Sequence, residues 1–143
     1  MPTRNDSPLR SRHDEATFVG TFPLHLGLGA KAVPQPEFTG MDWYGPYVER
    51  NAADGNEGRL VSMYSFKENW TAWERHPVGD EVVVCTEGEI TVIQELPDGP
   101  QKVTLRAGDY AVNPRGVWHT ADIASHATAL FITAGVGTEH RPR

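Results

Sequence analysis

Short alternations of apolar and polar residues, punctuated by Gly and Pro, run through most of the chain and predict strands rather than helices. The first is Phe22-Pro23-Leu24-His25-Leu26-Gly27-Leu28, which suits a half-buried strand, with Pro23 placing it at an edge or a strand start. Pro34 and Pro36 then break the pattern. Residues 41–48 form at best a short helical turn, because Gly45-Pro46 interrupts them. Asp54-Gly55-Asn56-Glu57-Gly58 signals a turn, and beyond it short strands are expected at 59–66, 71–75, 81–86, 89–95, 102–106, 110–113, 118–123 and 128–134. Val82-Val83-Val84 and Thr91-Val92-Ile93 are β-branched runs that suit strand interiors, and Pro97-Asp98-Gly99-Pro100 marks a hairpin. Many short strands with such turns imply an all-β sandwich or barrel, whose edges are managed by closing or doubling the sheet.

A length of 143 residues suits one compact domain with one core. The polar opening has little to bury, so residues 1–16 read as a flexible N-terminal arm and 17–143 as the domain. A net charge of -6 argues against a nucleic-acid surface. No stretch is apolar enough to span a bilayer, and the single cysteine, Cys85, cannot form an internal disulfide; a cytoplasmic setting is expected. Cys85 sits in an apolar strand and reads as a buried thiol. Gly27-Leu28-Gly29-Ala30-Lys31-Ala32 formally matches a dinucleotide loop, but Pro34 and Pro36 prevent the helix such a loop must open.

The chemistry concentrates in Trp73-Glu74-Arg75-His76-Pro77-Val78-Gly79-Asp80-Glu81 and Pro114-Arg115-Gly116-Val117-Trp118-His119. Residues two apart on a strand share a face, so Glu74 and His76 lie side by side while Trp73 and Arg75 face away. The two turns can return Glu81 and deliver His119 to the same place. Imidazole and carboxylate donors in this number suit Fe(II), Mn(II), Ni(II) or Zn(II).

These segments resemble the two motifs of the cupin superfamily, roughly G-x5-H-x-H-x3-4-E-x6-G and G-x5-P-x-G-x2-H-x3-N. Glu74 stands in place of the first histidine, His76, Glu81 and Gly88 follow at family spacing, and Gly108, Pro114, Gly116 and His119 match the second motif. Glu68 replaces the first glycine and Ile123 the final asparagine; of the departures, the one at Glu74 touches the chemistry. The resemblance implies a single jelly-roll β-barrel with an N-terminal extension, and one divalent metal on Glu74, His76, Glu81 and His119. It implies a homodimer acting on a small molecule. It points to a metalloenzyme, either dioxygenase-like on an enol, diketone or aromatic substrate, or an isomerase or lyase. A non-catalytic cupin that binds or senses a small ligand, with or without metal, is the alternative.

Glu74 leaves two geometries open. Pointing away, it leaves a two-histidine, one-carboxylate triad of the non-haem iron type; bound, it brings two negative charges that neutralise a divalent cation. Without metal, two crowded carboxylates would raise at least one pKa and leave an acid/base site. Tyr64, Trp70 and Tyr110 are the candidate substrate-binding residues, whereas alternation turns Trp73 and Trp118 outside the pocket. The tail from Gly135 to Arg143 is expected to fray, with His140 or Arg141 able to fold over a barrel mouth. The strand around Phe22 to Leu28 offers a dimer contact by edge pairing or exchange.

Overall fold

The computed structural model describes residues 16–143, so all but the last residue of the expected N-terminal arm lies outside the described residues. Nine strands form one antiparallel system: β1 (Leu24–Gly27), β2 (Lys31–Pro34), β3 (Arg59–Phe66), β4 (Ala72–Arg75), β5 (Glu81–Leu96), β6 (Gly99–Arg106), β7 (Tyr110–Asn113), β8 (His119–Thr133) and β9 (Glu139–Pro142). The expected all-β domain is what the chain adopts.

Two strands organise it. The first half of β5 pairs with the second half of β8 (Glu81↔Thr133 to Gly88↔Ala127), and its second half with the start of β8 (Ile90↔Ile123 to Gln94↔His119). Register shifts interrupt the pairing between Cys85 and Glu87 and between Gly88 and Ile90. Both strands bend there and pass between layers, one built as β2-β1-β3-β8-β5-β7 and the other as β9-β4-β8-β5-β6. Val83, Cys85, Ile90, Val92, Leu105, Ala121, Ile123, Ala129 and Phe131 fill the space between them. Gly88 makes the bend possible: its φ is 74°, and a Cβ there would lie 2.1 Å from the carbonyl oxygen of His126.

The continuity of β5 and β8 corrects the expectation of four separate strands. Thr86-Glu87 and Ala124-Ser125-His126 are exposed and polar, which reads as a break, yet their backbone stays extended round the bend. Residues 44–50 form a helix, α1 (Tyr44–Arg50), because Gly45 and Pro46 fall in its first turn, where a missing amide costs no intrahelical bond. The segment Gly27 to Lys31 is a hairpin turn between β1 and β2 rather than a dinucleotide loop, with Gly29 at φ 73°. β1 pairs with β2 on one side and β3 on the other, so it has no free edge to offer a second copy.

A buried polar clip holds α1 and the following turn to this hairpin. His25, 2% exposed, contacts the Tyr47 hydroxyl through Nδ1 and an Asp54 oxygen through Nε2, both at 2.6 Å. Hydrogen bonding from His25, helped by Lys31 and the Leu28 amide, holds the Asp54 carboxyl below its ordinary range against the opposing effect of burial. Cys85 is wholly buried, and burial pushes its thiol up, as suits a packed residue rather than a nucleophile.

Candidate metal centre

Because β5 and β8 double back, their four ends return to one mouth, and the four expected ligands meet there. Glu74 lies on β4 opposite His119, the first residue of β8. His76 follows the end of β4, and Glu81 opens β5 after the Pro77 to Asp80 turn. The two motif turns are tied together: the Gly116 amide donates to the His76 carbonyl at 2.9 Å, and the Arg115 amide to Asp80 Oδ1 at 2.7 Å.

One donor atom from each of Glu74, His76, Glu81 and His119 lies within 4.8 Å of the other three. His76 Nε2 is 3.1 Å from Glu74 Oε1 and 3.0 Å from Glu81 Oε2, while His119 Nε2 is 3.7 Å and 3.2 Å from Glu74 Oε1 and Glu81 Oε1. His76, Glu81 and His119 are buried, and Glu74 sits nearer the opening. Although close to carboxylates, both Nε2 atoms lack a hydrogen-bond partner of acceptable geometry. These nitrogens meet the carboxylates as ion pairs without aligned hydrogen bonds, and once deprotonated they present, with those carboxylates, the donor atoms that a divalent cation takes. The donor set therefore fits a metal of the Fe(II), Mn(II), Ni(II) or Zn(II) kind, and this His/Glu group could hold one. Glu74 points in rather than away.

Outer contacts hold the four side chains. Glu81 accepts from Asn113 Nδ2 at 3.1 Å and from the Thr133 hydroxyl at 2.6 Å. Gln94 Nε2 donates to Asn113 Oδ1 at 2.9 Å, which joins the two layers behind Glu81. His119 Nδ1 faces the Val117 carbonyl at 3.4 Å, and His76 Nδ1 faces the Thr138 hydroxyl at 2.8 Å. His140 Nε2 lies 2.8 Å from Glu74 Oε2.

Metal-free, the four groups form an ionic quartet. Burial alone would raise both carboxyls, but the adjacent imidazoles overturn it and hold Glu74 well below its usual range and Glu81 at about 2. Burial alone would likewise depress the imidazoles, yet Glu74 and Glu81 push His76 and His119 up to about 9. The expectation that crowding raises a carboxyl pKa is thus reversed, because each carboxylate has imidazolium charge beside it.

Of the substrate-binding candidates, Trp70 and Tyr64 face the interior. The Trp70 ring lies 6.2 Å from that of His119, and its buried indole N–H has no partner. Tyr64 packs on Phe131 and meets the Tyr44 hydroxyl through its own. Tyr110 is 68% exposed, since Ala111 and Asn113 take the inward positions of β7, so it is not part of this group. Tyr44 was not legible as a site residue, because Gly45-Pro46 disguised its helix. Burial chiefly raises its hydroxyl pKa, with Tyr64, Glu74 and Glu81 adding to the shift, which places it in the field of the carboxylates.

The tail does not fray. β9 pairs with β4 at Ala72↔Pro142, Trp73↔Arg141, Glu74↔His140 and Arg75↔Glu139. Trp73 and Trp118 do face outward, where Arg141 lies 5.3 Å and 4.6 Å from their ring centres and pairs with Glu95.

A family model described as a cupin domain matches residues 63–135, a span that contains all four donors. The chain belongs to the cupin family. The barrel is accordingly of the cupin jelly-roll type. Among solved structures it is similar to a cupin-like protein of Thermotoga maritima, at 21% identity, 59% of this chain, 65% of that chain and a TM-score of 0.51. It is also similar to a cupin-2 domain protein of Shewanella frigidimarina, at 25% identity, 59% of this chain, 71% of that chain and a TM-score of 0.45. An oxalate oxidase structure shares 20% identity over 56% of this cupin and 44% of its own chain, with a TM-score of 0.50. No curated protein matches this cupin. Among its described residues no helix is long and apolar enough to cross a membrane.

Proposed function

We propose that this cupin is a small-molecule metalloenzyme, holding one divalent metal on Glu74, His76, Glu81 and His119 and oxidising an enol, diketone or aromatic substrate with O2. The convergence of four donor atoms within 4.8 Å, two of them buried imidazole nitrogens with no hydrogen-bond partner, carries the reading. A divalent metal so bound supplies Lewis acidity and open positions for substrate and, as Fe(II), redox chemistry. Around it, Phe131, Phe66 and Trp70 form a contiguous aromatic cluster, with ring centres 5.7 to 6.2 Å apart, that supports a flat, largely apolar substrate. The free indole N–H of Trp70 is available to a polar atom of that substrate, and burial keeps the Tyr44 hydroxyl, which meets that of Tyr64, protonated as a donor. The test is oxygen uptake by the Fe(II)-loaded protein across enols, diketones and catechols. Uptake with one of these classes, lost in His119→Ala, is expected. Silence across Fe(II), Mn(II), Ni(II) and Zn(II), with a ligand still raising the melting temperature, would replace the enzyme by a small-ligand sensor.

Homodimerisation belongs to the same proposal. Leu24, Val61, Ile132, Val82 and Val112 form one row across five strands, and Met63, Leu130, Val84 and Tyr110 a second across four. Val61 is covered at 9% exposure, but the rest of the two rows lies on the side away from Ser62, Phe131, Val83 and Ala111, which face the interior, and Val112 and Tyr110 stand exposed there. Neither row contains a charge, so pairing the face with its own copy would bury no ion, which favours a second copy of this chain as its occupant. Light scattering should give a dimer mass for wild type and a monomer mass for Val84→Glu; a wild-type monomer at micromolar concentration rules the dimer out.

A further inference from the structure

The C-terminal strand does more than close the sheet. Thr138 Oγ1 donates its single hydrogen to the Gly135 carbonyl at 2.8 Å, so it is left with lone pairs alone toward His76 Nδ1, also 2.8 Å away. His76 must then donate from Nδ1, and its neutral ring presents a bare Nε2 to the centre. Two residues further on, His140 faces Glu74 in register and binds Oε2, while Glu74 Oε1 is the oxygen that approaches His76 and His119. The other face of the same strand carries its fastening: Arg75 pairs with Glu139 at 3.1 Å, and Arg141 lies over Trp73 and Trp118.

We infer that Thr138 and His140 are positioning residues for half of the metal centre: Thr138 selects the His76 tautomer whose Nε2 lone pair can bind, and His140 keeps Glu74 a one-oxygen ligand. The inference rests on the metal reading above. It explains how a glutamate works at the position where the cupin motif carries its first histidine. An unrestrained carboxylate can offer two oxygens or swing to solvent, whereas one tethered through Oε2 offers a single donor in a fixed direction, as a histidine does. It also gives the polar tail a reason to be ordered against β4, since outer contacts of this kind orient ligands and set their basicity.

Co(II) is the probe, titrated into the full-length metal-free protein against a competing chelator, with its visible absorption read for coordination. Thr138→Val and His140→Ala should each weaken Co(II) by about 10- to 100-fold, the usual effect of losing an outer contact. Thr138→Ser, which keeps the hydroxyl, should restore affinity, and His140→Gln, which keeps a donor, should recover the absorption envelope that His140→Ala alters. Metal-free melting temperatures are read in parallel. Affinities within twofold of wild type would overturn the inference alone, as would a loss that Thr138→Ser shares or that follows the melting temperature. Wild-type protein that takes up no Co(II) would overturn the metal reading, and this inference with it.

Discussion

Protein produced in metal-replete medium should carry close to one equivalent of a divalent metal, and His76→Ala next to none. His76 is 5% exposed, and its Nε2 lies between Glu74 Oε1 and Glu81 Oε2. Alanine removes a donor from the middle of the group and leaves the two carboxylates without the nitrogen that spaces them. The loss should exceed the roughly 10- to 100-fold that removal of an outer contact costs, because a metal bond itself disappears. Glu74→Gln is the informative companion. An amide oxygen is a poorer donor than a carboxylate and cannot accept from His140 with the same strength, so metal content should fall by less than in His76→Ala. Elemental analysis of the three proteins decides: full metal in His76→Ala, or none in wild type even after reconstitution, sinks the centre, and unchanged metal in Glu74→Gln reduces it to three ligands.

Acid should weaken metal binding steeply. In the metal-free protein His76 and His119 titrate at about 9, so at neutral pH both nitrogens that must bind metal carry protons. Displacing two protons costs affinity by roughly tenfold each per pH unit, or about a hundredfold per unit around neutrality. The groups facing these rings are Glu74, Glu81 and, beyond Glu74, His140; the Tyr44 hydroxyl stays neutral across this range. Stability without metal has the opposite slope. A folded-state imidazole pKa raised from 6.5 to about 9 contributes stability that is complete below 6.5 and lost as pH rises through 9. Carboxyls depressed from 4.5, with Glu81 at about 2, contribute stability present above 4.5 and lost as pH falls toward 2. The metal-free protein is therefore most stable between those ordinary values, in mild acid, while bound metal adds most on the alkaline side. Metal titrations and melting curves with chelator over pH 5 to 9 check both; flat affinity, or metal-free stability that climbs with pH, contradicts the ionic quartet.

How much of this was legible in the sequence follows from the range of the interactions. Glu74, His76, Glu81 and His119 could be found because two-residue alternation and the Pro77 to Asp80 and Pro114 to Gly116 turns are local devices, and local devices show in spacing. The bends of β5 and β8 could not, because an exposed polar stretch ends a strand unless a distant partner keeps it paired, as Ala127 does for Gly88. β9 was hidden for the same reason. Glu139-His140-Arg141-Pro142 has no apolar pattern of its own; its fastening lies on Glu74, 66 residues before His140, and on Trp73 and Trp118, all distant in sequence. Tyr110 lies on the outer side of β7 because Ala111 and Asn113, which alternate with it, take the inward positions.

The doubled course of β5 makes the glycine at its far end a calibrator of the mouth. Seven residues separate the bend from Glu81 at roughly 3.3 Å each, an arm of about 23 Å. On an arm of that length a tilt of about two degrees at Gly88 displaces the tip by about 0.8 Å, several times the roughly 0.2 Å that metal-ligand distances tolerate. The two halves of the centre ride on opposite arms of this lever, Glu81 on one and His119 through its pairing with Gln94 on the other. Their spacing is thus set at the pivot, by a residue that has no side chain and lies at the other end of the barrel from the chemistry.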